Sequence, residues 1–364
     1  MLWKMYERKL SNAPNKLIKN GKPQFGSFNT PPKSLDIKGV KEPFGILPLP
    51  TFITNLRIRS NISFVFSTEQ YYGTIDILDS KIYGFLEVNV WEKATLKRYT
   101  YKKIMFLSRR LVPKNLEKAS CNTSLTRLTR FKKRDVSFYW NKERNKFKID
   151  FYFKGDNVRP NLAGAFSTDI WSQKPSLTSV LPAPVMRRCY ASYQQPISLN
   201  GGLCVTKGKM LPFYDFSKKA ESLFVLTRAY YTARTINNLI AGIGKAGEDQ
   251  ITFRIADMSI LPPDRNTYND NVLFVNNEIT TLPPVTVTHP YGMSKKWIIQ
   301  DTENMIDLVF TPKSTSQRLL SLVLLHAQYF TVYGTFAGNL ITKDGKLIEL
   351  KDFPGIIKNQ RIRL

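Results

Sequence analysis

The sequence predicts an all-β protein built from two antiparallel β-barrels or sandwiches that follow an extended N-terminal arm. Short runs of β-branched and aromatic residues recur along the chain, turn residues separate these runs, and neither half shows a long amphipathic helical pattern. The clearest region is 305–355, where Asp344-Gly345 is typical of a hairpin turn between two short apolar runs. A sheet that curls on itself either fills its interior with side chains or encloses a cavity, so this fold class raises the question of a ligand.

The strand patterns begin after Thr51. Ile62, Phe64 and Phe66 alternate with polar residues, and residues 136–153 alternate in the same way on both sides of a turn. Beyond residue 184 the pattern predicts further short strands, including Val272–Val275 and Trp297–Gln300.

Proline positions suggest the domain organisation. Residues 1–50 are rich in Pro, Gly, Asn and Lys, which is typical of an extended arm that lies on a domain. Pro182 and Pro184 stand two residues apart, and prolines at this spacing interrupt both helices and strand ladders. We therefore expect a basic N-terminal β domain at 51–183 and a C-terminal β domain at 184–364.

The formal net charge is +26, and residues 93–154 contain 19 Lys or Arg against 4 acidic residues. Such a segment is either the solvated face of a sheet or a contact surface for nucleic acid, another polyanion or an anionic membrane. No sequence motif specific for nucleic acid is present. The candidate polyanion-binding residues are Lys102, Lys103, Arg109, Arg110, Lys132, Lys133 and Arg134.

Two regions bear on membranes and location. The N-terminus lacks the apolar segment of a secretory signal, and the number of cysteines is odd, so we expect an intracellular, cytoplasmic protein with free thiols. Residues 319–342 contain no charged residue, but they include Gln328, Gly334 and Asn339. We interpret this stretch as two buried strands joined by a turn, and we expect no transmembrane helix.

A glycine motif and the two histidines are further candidates for chemical sites. Gly242–Gly247 matches the G-x-G-x-x-G pattern, but a strand pattern follows where a dinucleotide-binding fold requires a helix, which favours a turn between strands. His289 and His326 are the only histidines, so we expect no metal site, and we expect no cofactor. His326 lies in an apolar run and is either a core histidine or a catalytic base.

Several segments together resemble the family catalogued as domain of unknown function 2804. These are Leu17–Pro23, Tyr71-Tyr72-Gly73, Val332–Gly338 and Lys351–Gly355, and the resemblance extends over nearly the whole chain. It implies a two-domain architecture similar to calycin or lipocalin-like barrels, with a shape related to carotenoid hydratases. Proteins of that kind use the barrel interior for an apolar substrate.

The polar signature of the family is altered in this chain. Ser192-Tyr193-Gln194 stands where the family resemblance implies Asn-x-Lys, and Asp270-Asn271 stands where it implies Glu-Asn. Because proton transfer needs a titratable group within reach of the substrate, these changes argue against a retained reaction.

Our first hypothesis is a protein that binds a hydrophobic or amphipathic small molecule in a barrel cavity. We expect that cavity in the second domain, with a volume on the order of several hundred Å³. Arg228 would pair with an anionic head group. The other candidate cavity residues are Tyr230, Tyr231, Asp257, Asn271 and Trp297.

An enzyme of hydratase or isomerase type is the alternative. It would act on an apolar substrate by acid catalysis, with Asp215 or Asp257 as the acid. This alternative requires a carboxyl group with a raised pKa inside an apolar pocket.

Overall fold

The computed structural model describes residues 5–45, 49–81, 83–106, 111–123, 134–183, 188–207, 218–230, 234–259, 262–322 and 325–363. Strands account for 62% of the chain and helices for 3%, which confirms the all-β fold class. The strands form two large curled sheets and one small hairpin. Among the described residues, no helix is both long and apolar enough to cross a membrane.

The first sheet contains thirteen strands within the described part of the chain. They are β1 (Leu10–Ser11), β4 (Gly26–Phe28), β5 (Ile58–Ser67), β6 (Tyr71–Asp79), β7 (Tyr83–Glu92), β8 (Arg98–Phe106), β9 (Lys118–Asn122), β10 (Arg134–Asn141), β11 (Lys146–Phe153), β12 (Asn161–Thr168), β13 (Leu177–Pro182), β14 (Cys189–Thr206) and β15 (Lys219–Tyr230). The main order is β8-β7-β6-β5-β15-β14-β12-β11-β10-β9. Two four-stranded meanders therefore flank the central antiparallel pair β14 and β15.

The second sheet contains nine strands within the described residues. They are β16 (Arg234–Ala246), β17 (Asp249–Met258), β18 (Val272–Val275), β19 (Glu278–Thr281), β20 (Thr286–Thr288), β21 (Trp297–Gln300), β22 (Ile306–Leu322), β23 (Leu325–Ile341) and β24 (Leu347–Arg363). Their order is β19-β18-β17-β16-β24-β23-β22-β21-β20. Within the uncharged stretch, residues 319–322 belong to β22 and residues 325–341 to β23, and these strands pair in the antiparallel direction. The sequence predicted two buried strands here, but Leu319 is 70% exposed.

The N-terminal arm contacts both sheets. Its small hairpin consists of β2 (Ile18–Lys19) and β3 (Lys22–Pro23), and the helix α1 (Thr51–Leu56) follows it. The backbone N–H of Arg8 donates to Oγ1 of Thr281 in the second sheet at 3.0 Å. Phe28 is buried in the core of the first sheet. The arm thus forms part of the packed structure on both sides.

Three apolar layers result from this topology. The first core lies inside the first sheet and includes stacked rings such as Phe64 and Phe66. The second core lies inside the second sheet and includes Phe253 and Trp297. The inter-sheet layer joins the other faces of the two sheets, where Tyr333 of β23 packs on Trp91 of β7 and on Tyr72 of β6.

The filled second core corrects one expectation. The sequence predicted a ligand cavity inside the second domain, but large apolar side chains occupy that interior. Side chains in a core pack at close to crystal density, which leaves little room for a ligand. The cavities described below lie elsewhere.

The sheets divide the chain at a different point from the predicted boundary at 183/184. The chain passes from the first sheet to the second between Tyr230 and Arg234. Pro182 does end β13, but β14 pairs with β13 in the antiparallel direction, with Cys189 opposite Pro182. The break in the strand pattern therefore lies between two strands of one sheet.

The glycine motif lies in a β-hairpin, as its sequence context indicated. Gly242 and Gly244 are within β16, the turn is at Gly247, and β17 follows. A Cβ atom at Gly242 would overlap the ring of Phe253, so a glycine is needed there for packing.

Candidate ligand-binding site

A pocket of about 780 Å³ opens at one end of the first sheet, and we call it the mouth pocket. It is formed where β5 begins and where β6 and β15 end, and α1 and the loop 112–115 close its sides. Its volume is within the range of about 300–1,000 Å³ that is typical of small-molecule sites, and barrel mouths are a common location for them.

Arg228 of β15 lines the mouth pocket and is 7% exposed. Its Nη2 donates to the carbonyl of Val112 at 2.8 Å, which holds the guanidinium against the loop. Its buried Nε has no hydrogen-bond partner among the described residues. Burial lowers the pKa of Arg228, and Asp36 and Asp79 partly offset this effect. A guanidinium that lines a pocket is suited to an anionic group.

Asp79 is the acidic residue of the pocket wall, and its side chain is already engaged. Its Oδ1 accepts the backbone N–H of Lys81 at 2.8 Å, and its Oδ2 accepts that of Val112 at 3.2 Å. This carboxylate therefore fixes the two loops that form the wall.

Lys81 is half-buried in the pocket wall, with a left-handed backbone at φ 69°. Burial lowers its pKa to about 8, and the neighbouring cations Lys38 and Arg228 contribute to this shift, while Asp79 and Asp36 oppose it. The site therefore disfavours a positive charge on Lys81, and a bound anion would reverse that preference.

The rest of the wall combines apolar and cationic groups. Phe52 and Leu56 of α1, four residues apart, line the pocket with Val112. Lys38 and Lys114 also line it, and Lys114 forms an ion pair with Asp36 at 2.5 Å. The mouth pocket thus has an apolar side and a cationic side.

A second, narrower cavity of about 100 Å³ lies between the two sheets. Ion pairs cross between the sheets at its edge, from Lys358 to Asp76 at 2.7 Å and from Arg318 to Glu87 at 2.6 Å. This cavity is well below the typical volume of a small-molecule site, and it suits only a few waters or a very small guest.

A fully buried polar cluster adjoins the inter-sheet cavity. Arg254 of β17 pairs with Asp270 at 2.6 Å, and the hydroxyl of Tyr190 on β14 donates to the same carboxylate at 3.0 Å. Burial lowers the pKa of Arg254, but Asp270 and Tyr190 outweigh this effect and raise it overall. Gln194 donates to the carbonyl of Asp270 at 2.8 Å.

This cluster brings together two of the segments that differ from the pattern implied by the family resemblance, Ser192-Tyr193-Gln194 and Asp270-Asn271. Gln194 belongs to the first and Asp270 to the second, and 76 residues separate them in sequence. Ser192 Oγ, Gln194 Oε1 and Asp270 Oδ1 are buried without a hydrogen-bond partner in the described structure. Buried polar atoms of this kind usually bind ordered water or a ligand.

The predicted ligand-binding residues are dispersed. Arg228 lines the mouth pocket. Tyr230 is buried, and its hydroxyl donates to the carbonyl of Ile37 at 2.9 Å. Asn271 is buried in the second sheet, where its side chain bonds the backbone of Ala256. Trp297 is in the second core and donates to the carbonyl of Met293. Tyr231 lies outside the described residues.

The predicted catalytic acids do not converge on a cavity. Asp257 is partly exposed and pairs with Arg265 at 2.7 Å, and it lines neither the mouth pocket nor the inter-sheet cavity. Asp215 and the side chain of His326 are outside the described part of the structure. Within that part, no group of three or more His, Cys, Asp or Glu residues is arranged to hold a metal ion.

The predicted polyanion-binding residues that can be described are mostly paired. Lys103 is largely buried and forms an ion pair with Asp135 at 3.0 Å. Arg134 donates to the carbonyl of Lys102, and its Nη2 is 3.7 Å from Asp156. Lys102 itself is half-buried at 3.8 Å from Glu87. The described residues do not include Arg109, Arg110, Lys132 or Lys133.

Sequence reasoning missed Lys81, α1 and the pair formed by Tyr190 and Arg254. The burial of Lys81 depends on a loop about thirty residues further along, which the residues next to Lys81 do not reveal. The apolar pattern around Phe52 belongs to α1, whereas the sequence predicts the start of the strand region there.

The described structure is a two-sheet antiparallel β protein with a pocket at the mouth of one sheet. A profile of the family described as "Domain of unknown function (DUF2804)" matches residues 7–364, and the chain belongs to this family. No curated protein matches the sequence.

Solved structures align with the chain at low identity. Kievitone hydratase from Nectria haematococca is 14% identical with a TM-score of 0.42, and the alignment covers 84% of this chain and 88% of that chain. CghA is 8% identical with a TM-score of 0.42 and the same coverage. Alignments at this level carry no argument about ligand or activity.

The buried ion pair gives a stability prediction. Asp270→Asn leaves Arg254 charged and uncompensated, and removing one partner of a buried pair typically costs about 3–5 kcal/mol. We expect a loss of this size in the free energy of unfolding, measured by urea denaturation. The matched control is Asp257→Asn, which removes an ion pair with partly exposed partners and should cost no more than about 1 kcal/mol. Equal losses in the two variants would contradict the prediction.

Proposed function

We propose that this protein binds an amphipathic anion in the mouth pocket. The observation that carries the proposal is the guanidinium of the largely buried Arg228 at the wall of a pocket of about 780 Å³, beside Lys38 and Lys81. The acidic head group would face Arg228 and Lys81. The apolar body would contact Phe52, Leu56 and Val112.

The charges around the pocket favour an anion. Arg228, Lys38 and Lys81 line the pocket, and none of them forms an ion pair within the described part of the chain. Both oxygens of Asp79 accept backbone N–H groups, and Asp36 pairs with Lys114. Low-dielectric walls strengthen the attraction between such cations and a bound anion.

The apolar part of the wall argues against a small inorganic anion as the preferred ligand. Phe52 and Leu56 present a continuous apolar surface on one side of the pocket. Each methylene that a ligand buries there contributes about 0.8 kcal/mol. A ligand with both a charged head and an apolar chain uses both sides.

Binding is better supported than catalysis. The acid-catalysed alternative needs a carboxyl group within reach of a ligand, and the carboxylate of Asp79 is fixed by two backbone hydrogen bonds. Asp257, the predicted acid that can be described, is at the protein surface beside Arg265. The polyanion alternative has less support, since Lys103 and Arg134 are held by acidic or backbone partners.

The first test removes the cationic side of the pocket. Lys38→Gln with Lys81→Gln should weaken the binding of dodecanoate, measured by calorimetry below its micelle concentration, by about tenfold or more, since charge-assisted contacts contribute about 1.5–3 kcal/mol each. The matched control is Lys295→Gln with Lys296→Gln, which removes two charges from an exposed turn of the second sheet. The proposal fails if both double variants bind like the unmodified protein, or if dodecanoate does not bind at all.

The second test uses pH. Because burial lowers the pKa of Lys81 to about 8, this residue is mostly charged at pH 7 and mostly neutral at pH 9. Dodecanoate stays ionised over this range, so its affinity should fall as the pH rises through 8, and binding near pH 9 should take up protons. In Lys81→Gln, calorimetry should show neither the fall in affinity nor the proton uptake. If the affinity of Lys81→Gln for dodecanoate still falls as the pH rises, another titratable group causes the pH dependence.

A further inference from the structure

The sequence around α1 has an apolar stripe. Phe52, Ile53 and Leu56 are at positions i, i+1 and i+4 of α1, and Leu49 lies just before the helix, ahead of the N-cap residue Pro50. These four apolar side chains are the stripe. Their exposed fractions are 68% for Phe52, 36% for Ile53, 55% for Leu56 and 39% for Leu49. The helix instead buries the hydroxyl-bearing Thr54, at 2% exposure.

This orientation is the reverse of the usual one. An amphipathic helix in a globular protein normally turns its apolar stripe to the core and its polar residues to water. Contiguous exposed apolar side chains instead mark a surface that contacts another molecule or a membrane. The stripe borders the mouth pocket, since Phe52 and Leu56 belong to both.

Cationic side chains surround the stripe. Arg57, directly after α1, is exposed, and its guanidinium stacks on the ring of Phe44 at 4.7 Å. Lys38, Lys81 and Lys114 line the mouth pocket together with Phe52 and Leu56 of the stripe. Residues 49–56 contain no acidic residue. Apolar side chains ringed by Lys and Arg are typical of helices that lie in the interface of an anionic bilayer.

We infer that the stripe of α1 docks onto an anionic lipid bilayer. The four apolar side chains insert between the head groups, and the surrounding cations contact the anionic lipids. Docking in this way places the mouth pocket against the membrane surface. If the proposed function holds, the pocket takes its amphipathic anion directly from that surface.

A bilayer fits this surface better than a second copy of the chain. Two copies that met at the stripe would bring Arg57, Lys38 and Lys114 of each against the same charges of the other, and like charges oppose such a contact. Four side chains are also a small patch, whereas a stable dimer buries about 800 Å² on each partner.

The test is flotation of the full-length protein with phosphatidylcholine vesicles, with and without phosphatidylglycerol. We expect binding to the phosphatidylglycerol vesicles, and we expect added salt to weaken it because salt screens the cations. Leu49→Ser with Ile53→Ser should reduce the bound fraction about tenfold or more, since binding scales with buried apolar area. These two residues are in the stripe but do not line the mouth pocket.

The matched control is Val158→Ser with Leu347→Ser, which removes two exposed apolar side chains far from α1 in sequence and should leave vesicle binding unchanged. Calorimetry with dodecanoate, without vesicles, separates the two proposals. The double variant Leu49→Ser with Ile53→Ser should bind dodecanoate normally, although it should no longer float with the phosphatidylglycerol vesicles.

Three outcomes would overturn the inference. The first is no binding to phosphatidylglycerol vesicles, whether or not dodecanoate binds. The second is an equal loss of vesicle binding in Leu49→Ser with Ile53→Ser and in the control variant. The third is self-association that disappears in Leu49→Ser with Ile53→Ser, which would assign the stripe to a second copy of the chain.

Discussion

The structure depends on the alternation of side chains along strands that are covered on both faces. In β5, Ile62 and Phe64 point into the first core, while Asn61, Ser63 and Val65 point towards the second sheet. A shift of one residue in register would exchange the two sets and place polar groups in the core. The two sheets can therefore pack together only in the register that is observed, and this register fixes where the strands end and the mouth pocket begins.

Charged groups between the sheets add specificity to this packing. The pairs Lys358–Asp76 and Arg318–Glu87 cross from one sheet to the other and are largely shielded from water. Such pairs contribute little net stability, but a wrong alignment would leave each charge without a partner. The same close packing leaves the inter-sheet cavity small, so a ligand of ordinary size fits where the strands end.

Local patterns in the sequence predicted the fold class and some strands to the residue, such as Val272–Val275 and Trp297–Gln300. Arg228, one of the candidate residues from the sequence, lines the mouth pocket. Local patterns could not predict the rest of the site, since the burial of Lys81 depends on a loop about thirty residues further along and the pocket also needs β5 beside β15, more than 150 residues away in sequence. Pro182 ends β13, but β13 and β14 belong to the same sheet, because a proline marks the end of a strand and not the end of a sheet.

Both sheets are completed by strands that are distant in sequence, and this has a consequence for biosynthesis. In the first sheet, β5 pairs with β15, which is synthesised much later. In the second sheet, β16 pairs with β24, and Arg234 lies opposite Arg363 near the end of the described residues. During synthesis, β5 therefore keeps an unpaired edge until β15 emerges, and β16 keeps one until β24 emerges. Exposed edges of this kind can pair with other chains, so aggregation competes with folding during these intervals.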